Sequence, residues 1–474
     1  MLEPEQQFSG RARLEIYEAK EKPMTRELSD TRAVAAERKA VFAAVDALRD
    51  DMISVLSDVI SIPSVNPKYP GQSYDDVVGS EGRVSDLLGE IYQDAGAEVE
   101  KWAVEPGRTN AVGTISGTGG GKSLIFNGHV DVVPPGNADR WTSGDPFSGR
   151  IDDDRVWGRG ASDMKAGLVA QAFAVKALAR AGVRLQGDLI IEAVVGEEVM
   201  DHECGVSSTL ERGYRADAAV VAEPSGPTTL GVIPVTPGLL WFSVTIGGKT
   251  THSSMRGQTI RAGGGGSSVG VNAIDKGMLV FQALQRLEEE WAFTKTHPLF
   301  APGHFTIHPG VVTGGPHGVL VPFFLSEYMT IEYCVWYPPQ DDPENVKREI
   351  EAQIDAIART DGWLREHPPA VEWKLNWPAN NPGEAAADIT AAVSAAHVAA
   401  AGNTPYAGPA TVAGFCAVED CSFLTNAGVP AISYGPGDLR VSHADDEYCL
   451  IDEVRTAAKT YAALALDWCS SSTV

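Results

Sequence analysis

Val41, Val45, Leu48, Met52, Leu56 and Val59 recur at three- and four-residue steps, so the chain from about Glu37 to Ile60 predicts an amphipathic helix, stopped at Pro63. A second helix is expected over Glu81–Ala95. Short apolar runs then alternate with helical stretches: a strand at Ser123–Phe126, a helix at Ala166–Ala181, a buried strand at Asp188–Val195, a helix near Val206–Gly213 and a strand at Ala218–Ala222. Strand–helix–strand alternation of this kind predicts an α/β domain with a mostly parallel sheet, whose chemistry gathers in loops at the carboxyl ends of the strands.

The texture changes near Thr236. Strands are expected at Leu239–Ile246, His304–Val312 and Glu327–Tyr337, with helices at Val271–Trp291 and Pro343–Ala358. This β-α-β-β-α order suits a small two-layer α+β domain. The Pro- and Asn-rich run HPPAVEWKLNWPANNPG reads as the return connection. From about Ala385 the α/β texture resumes, with a helix to Ala400, a strand at Ala431–Tyr434 and a last helix at Glu453–Trp468. The expected division is a mobile extension over 1–36, a catalytic domain in two parts (37–235 and 379–474) and an inserted domain over 236–378.

Charge narrows the partners. Lys plus Arg number 38 against 63 Asp plus Glu, a formal charge of −25, which repels phosphate backbones and anionic lipid. No nucleic-acid or membrane partner is expected. The polar N-terminus has no apolar stretch resembling a secretory signal, and six scattered cysteines without C-x-x-C fit reduced thiols, so the expected compartment is the cytoplasm.

Five stretches carry candidate chemistry: NGHVDVVPPG with His129 and Asp131, WGRGASDMKAG with Asp163, VVGEEV with Glu197 and Glu198, VVAEPSG with Glu223, and SYGPGDLRVSHADDEY with His443. Two neighbouring divalent cations need a bridging carboxylate plus His and carboxylate ligands on each side, and zinc accepts both donor types. Two His and several acids, all beside strand ends, meet that requirement. His-x-Asp adds a carboxylate able to orient the imidazole. The adjacent glutamates point different ways, so one can hold metal while the other faces the attacking water.

These motifs, in this order over most of residues 40–470, resemble the M20 metallopeptidases and deacylases, which include acetylornithine deacetylase, succinyl-diaminopimelate desuccinylase, aminoacylase and glutamate carboxypeptidase. The resemblance implies a zinc-peptidase-like α/β catalytic domain with an inserted lid or dimerisation domain, holding two divalent ions (zinc, or cobalt or manganese). It implies His129 and Glu223 on one ion, Glu198 and His443 on the other, Asp163 bridging, Asp131 orienting His129, and Glu197 as general base. By the same resemblance His252 supplies an oxyanion donor across a homodimer interface, and Asn272 lies near a small-molecule substrate. The implied reaction is deacylation of an N-acyl amino acid or related N-acyl amine, with dipeptidase or carboxypeptidase cleavage as the alternative and an inactive metal-binding homologue as a third reading.

The chain departs from the pattern where relatives bind a substrate carboxylate. Val319 stands where an Asn is expected, Trp336 lies near the expected Arg, and AVEDCSFL keeps Asp420 without its Arg. An Arg fork cannot be replaced by apolar groups. The substrate therefore lacks that carboxylate or meets it with Arg256, Arg261 or Arg440. Phe323, Phe324, Tyr328 and Trp336 read first as core, and second as contacts for an apolar group of the substrate. His202 and Glu203 read equally as support for the Glu-Glu pair or as surface loop. Two serine-hydrolase patterns, Gly266-Ser267-Ser268-Val269-Gly270 and Ser162-Asp163-Met164-Lys165, lack the strand or partners they need. The glycine-rich GTISGTGGGKS reads as a hairpin turn.

Overall fold

The computed structural model describes residues 28–225 and 229–471. Residues 1–27 of the expected extension lie outside the described residues, while 28–36 open a helix, Leu28–Ala47. The single helix expected over 37–60 is two, Leu28–Ala47 and Arg49–Ile60, meeting at Leu48. The apolar spacing runs unbroken through the junction, which is why the sequence pattern does not show it.

Strands follow in chain order: β1 (Glu98–Ala103), β2 (Thr109–Ile115), β3 (Leu124–His129), β4 (Arg155–Trp157), β5 (Leu189–Val194), β6 (Ala218–Val221) and β7 (Val232–Val235). The chain then forms β8 (Gly238–Gly247), β9 (Ile307–Gly315), β10 (Tyr328–Tyr337) and β11 (Ala370–Trp377), and returns with β12 (Val412–Gly414), β13 (Ala431–Ser433) and β14 (Tyr448–Leu450). Two compact units result. The first comprises residues up to Val235, Pro382–Phe415 and Glu419 onward; the second comprises Thr236–Asn381 with Cys416–Val418.

The first unit carries an eight-stranded sheet ordered β1-β2-β5-β3-β6-β13-β7-β12. Its centre, β5-β3-β6-β13, is parallel, and β1 and β2 flank it antiparallel. β3 and β5 are buried at every position, as strands covered on both faces must be. Helix Ala166–Arg180 is Ala-rich and buried nearly all round. A Cβ on Gly167 would come within 2.1 Å of the Ala222 carbonyl, so only glycine lets this helix approach the sheet so closely. Because β2 and β3 are separated by β5, the segment 116–123 crosses over a strand. It is not the hairpin turn expected.

The second unit has a four-stranded antiparallel sheet ordered β11-β8-β10-β9, with helices Ala273–Thr294 and Pro343–Thr360 packed beside it. The segment read as a return connection contains β11, paired with β8. Val371, Trp373, Leu375 and Trp377 alternate with polar residues, a period-two signal masked by the flanking prolines. Asp342 accepts from the Glu344 amide to start Pro343–Thr360.

Among the described residues no helix is long and apolar enough to cross a membrane. All six cysteines are free.

Candidate metal centre

The carboxyl ends of the parallel strands converge on one cluster. His129, the last residue of β3, is 1% exposed. Its Nε2 lies 3.2 Å from Asp163 Oδ1, 3.3 Å from Glu223 Oε1 and 3.9 Å from Glu197 Oε2. Its Nδ1 donates to the Asp131 carbonyl at 2.9 Å, which orients the ring with Nε2 toward the carboxylates. His443, in the loop after β13, places its Nε2 3.1 Å from Glu198 Oε2 and 3.3 Å from Asp163 Oδ2. The two oxygens of Asp163 therefore face two different imidazoles, His129 with Glu223 on one side and His443 with Glu198 on the other.

Asp131 differs from the expectation in detail. Its carboxylate Oδ1 is 3.8 Å from His129 Nδ1, and the orienting contact is made by its backbone carbonyl. The carboxylate instead accepts from the amides of Gly196 (2.9 Å) and Glu198 (3.2 Å), and so holds the turn Glu197–Val199 that follows β5. Gly196 has φ +97°, and a Cβ there would meet the Asp201 carbonyl at 2.4 Å. The GEE run needs that glycine.

Two residues not singled out from sequence support Asp163. Buried Glu447 accepts from the amides of Ser162 (2.8 Å) and Asp163 (3.1 Å), and its other oxygen pairs with buried Arg159. Each lies four residues from a motif residue, Arg159 before Asp163 and Glu447 after His443, inside stretches already quoted. The glycine of GPG has a local reason too, because a Cβ on Gly435 would strike the carbonyls of Ala222 and Glu223 at 2.4 and 2.5 Å.

The electrostatics describe a site built for cations. Burial raises Glu197 and Glu223 well above the usual carboxylate range and raises Glu198 as well; neighbouring carboxylates add to this and the imidazoles oppose it. Burial also disfavours charge on His443, yet its bonds to Asp163 and Glu198 carry it up to about 11. Burial likewise raises Asp163, but hydrogen bonds from His129 and His443 outweigh it and hold the group below its ordinary range. Four carboxylates around two imidazoles are a donor set that divalent cations satisfy. Donor atoms of His129, Asp163 and Glu198, and of His129, Glu197 and Glu223, lie within 4.8 Å of one another.

The other candidates of the first unit have partners of their own. His202 bonds Ser207 and stacks on Phe423. Lys165 donates to the carbonyls of Val59 and Ile62, and Ser162 Oγ is engaged with the Asp438 backbone, so no Ser/Lys pair forms. The G-x-S-x-G run forms a short turn, Gly266–Ser268, with no strand before it. In the second unit, His252 is exposed with Nδ1 accepting from the Ser254 amide, and Asn272 caps helix Ala273–Thr294. Phe323 and Phe324 are 59% and 43% exposed, so they are not core. The apolar run they belong to gave no sign of which side would be covered.

The sequence profile of Peptidase family M20/M25/M40 matches residues 125–467. This chain belongs to that family. As a member it is a hydrolase of amide bonds, in a metal-dependent family, with candidate metal-binding groups in place. It is 32% identical over 439 residues to the N-formyl-4-amino-5-aminomethyl-2-methylpyrimidine deformylase of Halalkalibacterium halodurans, covering 90% of this chain and 97% of that one. The deformylase of the same name from Bacillus subtilis is 32% identical over 436 residues, covering 90% and 96%. In fold, the M20 family metallo-carboxypeptidase from Sulfolobus solfataricus aligns with TM-score 0.62 at 17% identity, over 88% of this chain and 99% of that one.

Proposed function

We propose that this M20 hydrolase is a cytoplasmic two-metal deacylase that removes a small acyl group, formyl first, from an uncharged aminomethyl-heteroaromatic amine. The observation that carries the reading is the near full-length similarity to two proteins named as N-formyl aminomethylpyrimidine deformylases. The chain's own departures agree with it. Val319 and Trp336 stand where a carboxylate-binding pair is expected, and of the three candidate arginines Arg256 and Arg440 are already engaged by Asp275 and Asp438, which leaves exposed Arg261.

In this reading His129 and Glu223 would hold one ion and His443 and Glu198 the other, with Asp163 contributing to both, zinc being the first candidate and cobalt or manganese next. When bound, such ions acidify water and polarise a carbonyl oxygen. Glu197 takes the proton from the attacking water and hands it to the departing amine nitrogen. Burial prepares Glu197 for this, because a carboxylate taken out of water is a stronger base. His129, held by the Asp131 carbonyl, would present its Nε2 to the ion.

The second unit is proposed as a lid and dimerisation domain. β9 is an edge strand with Val311 and Val312 each 53% exposed, the kind of edge that a second copy covers. His252 of the partner subunit would then supply an oxyanion donor, and Asn272 would lie near the substrate. Sedimentation of a fully active monomer would defeat the role of His252 across the interface.

The decisive experiment is a turnover screen of metal-reconstituted enzyme on N-formyl, N-acetyl and N-succinyl aminomethyl-heteroaromatics, N-acyl amino acids and dipeptides. The highest kcat/KM is expected on the N-formyl heteroaromatic amine. A preference for dipeptides, or turnover unaffected by chelation, would overturn the reading.

A further inference from the structure

The turn bearing Glu197 and Glu198 has no regular structure of its own beyond one short loop of 3-10 type, yet it carries two groups that must be placed to within a fraction of an ångström. It is held from outside by a ring of buried polar residues on the β2 edge and on the loop after the second helix, all within the first unit. Arg108, with no exposed side-chain surface, forks onto Glu81 with two bonds of 2.9 Å. Its remaining nitrogen pairs with Asp201, whose amide closes the turn on the Gly196 carbonyl at 2.7 Å. Asn110 accepts from the Val195 amide at 3.0 Å and donates to the Cys204 carbonyl at 2.7 Å, gripping the segment just before and just after the turn. On the inner side, fully buried Asn66 donates to Asp131 Oδ2 at 2.8 Å, and that carboxylate receives the Gly196 and Glu198 amides. The Lys68 amide in turn donates to Asn66 Oδ1 at 3.0 Å, while Lys68 Nζ reaches Asp201 at 2.9 Å.

Glu105, Asp201 and Cys204 also bring donor atoms within 4.8 Å of one another. Lys68 and Arg108 already answer those carboxylates, and burial pushes the Cys204 thiol up to about 12, so this cluster is charge-paired and is not a metal site.

We propose that Arg108 and Asn66 are positioning residues for hydrolysis: through Asp201 and Asp131 they fix the two ends of the turn that presents Glu197 and Glu198. This rests on the roles given above to those two glutamates. An Arg fork suits the task because it spends two nitrogens on Glu81, which anchors it to helix Ser80–Asp94, and keeps the third for the turn. Asp131 suits it because an acceptor-only group can gather three donors at once without competing for the protons of the site.

The network supplies its own control. Glu105 pairs with the same Arg108 and Lys68 at 3.3 and 2.5 Å, but it stands in the loop between β1 and β2 and does not touch the turn. Asp201→Asn and Glu105→Gln each remove one carboxylate charge from the same two cations. Full-length, metal-loaded variants are compared by kcat and KM, by cobalt affinity in a chelator competition, and by the melting of the metal-free protein. Asp201→Asn is expected to lower kcat and cobalt affinity by about tenfold to a hundredfold, with KM held within about threefold, while Glu105→Gln matches the parent. Asn66→Ala, acting at the other end of the turn, is expected to reproduce the Asp201 result and serves if Asp201→Asn fails to fold. Equal effects of Asp201→Asn and Glu105→Gln, or lowered melting with unchanged kcat and cobalt affinity, would overturn the proposal. Glu198→Gln is run alongside. If it keeps full metal affinity and turnover, the roles of the glutamates themselves fall. If it loses both while Asp201→Asn and Asn66→Ala lose neither, only the positioning proposal falls.

Discussion

The two units bury different things. The first encloses Glu81, Arg108, Arg159, Lys165, Glu192, Glu447 and Glu453 in addition to its metal cluster, whereas among the described residues of the second no Asp, Glu, His, Lys or Arg side chain is buried. The second encloses Trp291, Tyr333 and an aliphatic core, and among the described residues it carries most of the large apolar side chains that are exposed, among them Val311, Val312, Leu320 and Phe323. A buried charge is costly unless paired or bound, so the first unit is tied to pH and to cations. The second is a conventional apolar core with a surface suited to being covered. One part of the chain is organised to hold charge in place, and the other to meet something apolar.

Glu197→Gln gives the largest expected effect and cuts into the first half of that contrast. It keeps size and hydrogen bonding but removes the base, so kcat should fall by about a hundredfold to ten-thousandfold. Metal content should stay at the parent level. A variant that retains turnover would show that the buried charge of Glu197 serves structure alone.

Chelation comes next. Ions that bind the folded protein stabilise it by mass action, about 4 kcal/mol at a thousand times the dissociation constant. The metal-loaded protein should therefore melt well above the chelated one, and turnover should return with added zinc, cobalt or manganese. Identical melting with and without chelator would mean that the carboxylate cluster does not depend on cations, and the contrast between the units would lose its cause.

How far the contrast could be read in the sequence depends on which signal carried it. Apolar runs located β5 and β6 to within a residue and β3 to within three, because strands covered on both faces leave continuous apolar stretches, and three of the five motifs fall at their ends, the other two following β4 and β13. The ring around Glu197 and Glu198 was not legible. Asn66, Arg108 and Asp201 come from three distant segments, and nothing in their local spacing says that they meet. The Asp131 carboxylate was visible as a candidate but its partner was not, since His-x-Asp spacing does not tell a side-chain contact from a backbone one. In the second unit, β11 hid between prolines. Exposure of Phe323 and Phe324 was unreadable because an apolar run looks the same in a core and on a surface that a partner covers.

Glu192 tests burial of charge away from the metal centre. It sits at the middle of β5, fully buried, with Asn127 donating to it at 2.8 Å and no cation beside it. Burial raises it to about 7, against opposing hydrogen bonds. The folded protein thus holds a proton that the unfolded chain releases near its ordinary value. Its stabilising contribution is complete below about pH 4.5, is lost as pH rises toward 7, and stays lost above. Glu192→Gln removes that dependence and should stabilise the protein above pH 7 by up to about 3 kcal/mol. It should have no benefit near pH 4. Denaturant titrations at the two pH values measure the difference, and equal ΔΔG at both would show that Glu192 is not the source of the pH dependence.

The smallest expected effect probes the other half of the comparison. Leu320 is 98% exposed, within a run from Val319 to Phe324 in which every large apolar side chain is at least 38% exposed. A single exposed leucine is ordinary, but a contiguous apolar segment is not, and it marks a surface that meets substrate, a second copy or both. If the segment is free in the isolated chain, Leu320→Ser should change unfolding free energy by no more than about 0.5 kcal/mol. A larger loss that grows with protein concentration would place Leu320 inside an assembled interface, since only association makes stability depend on concentration. A larger loss independent of concentration would mean that the side chain is covered within its own chain, and the second unit would then be less of a waiting surface than its exposure indicates.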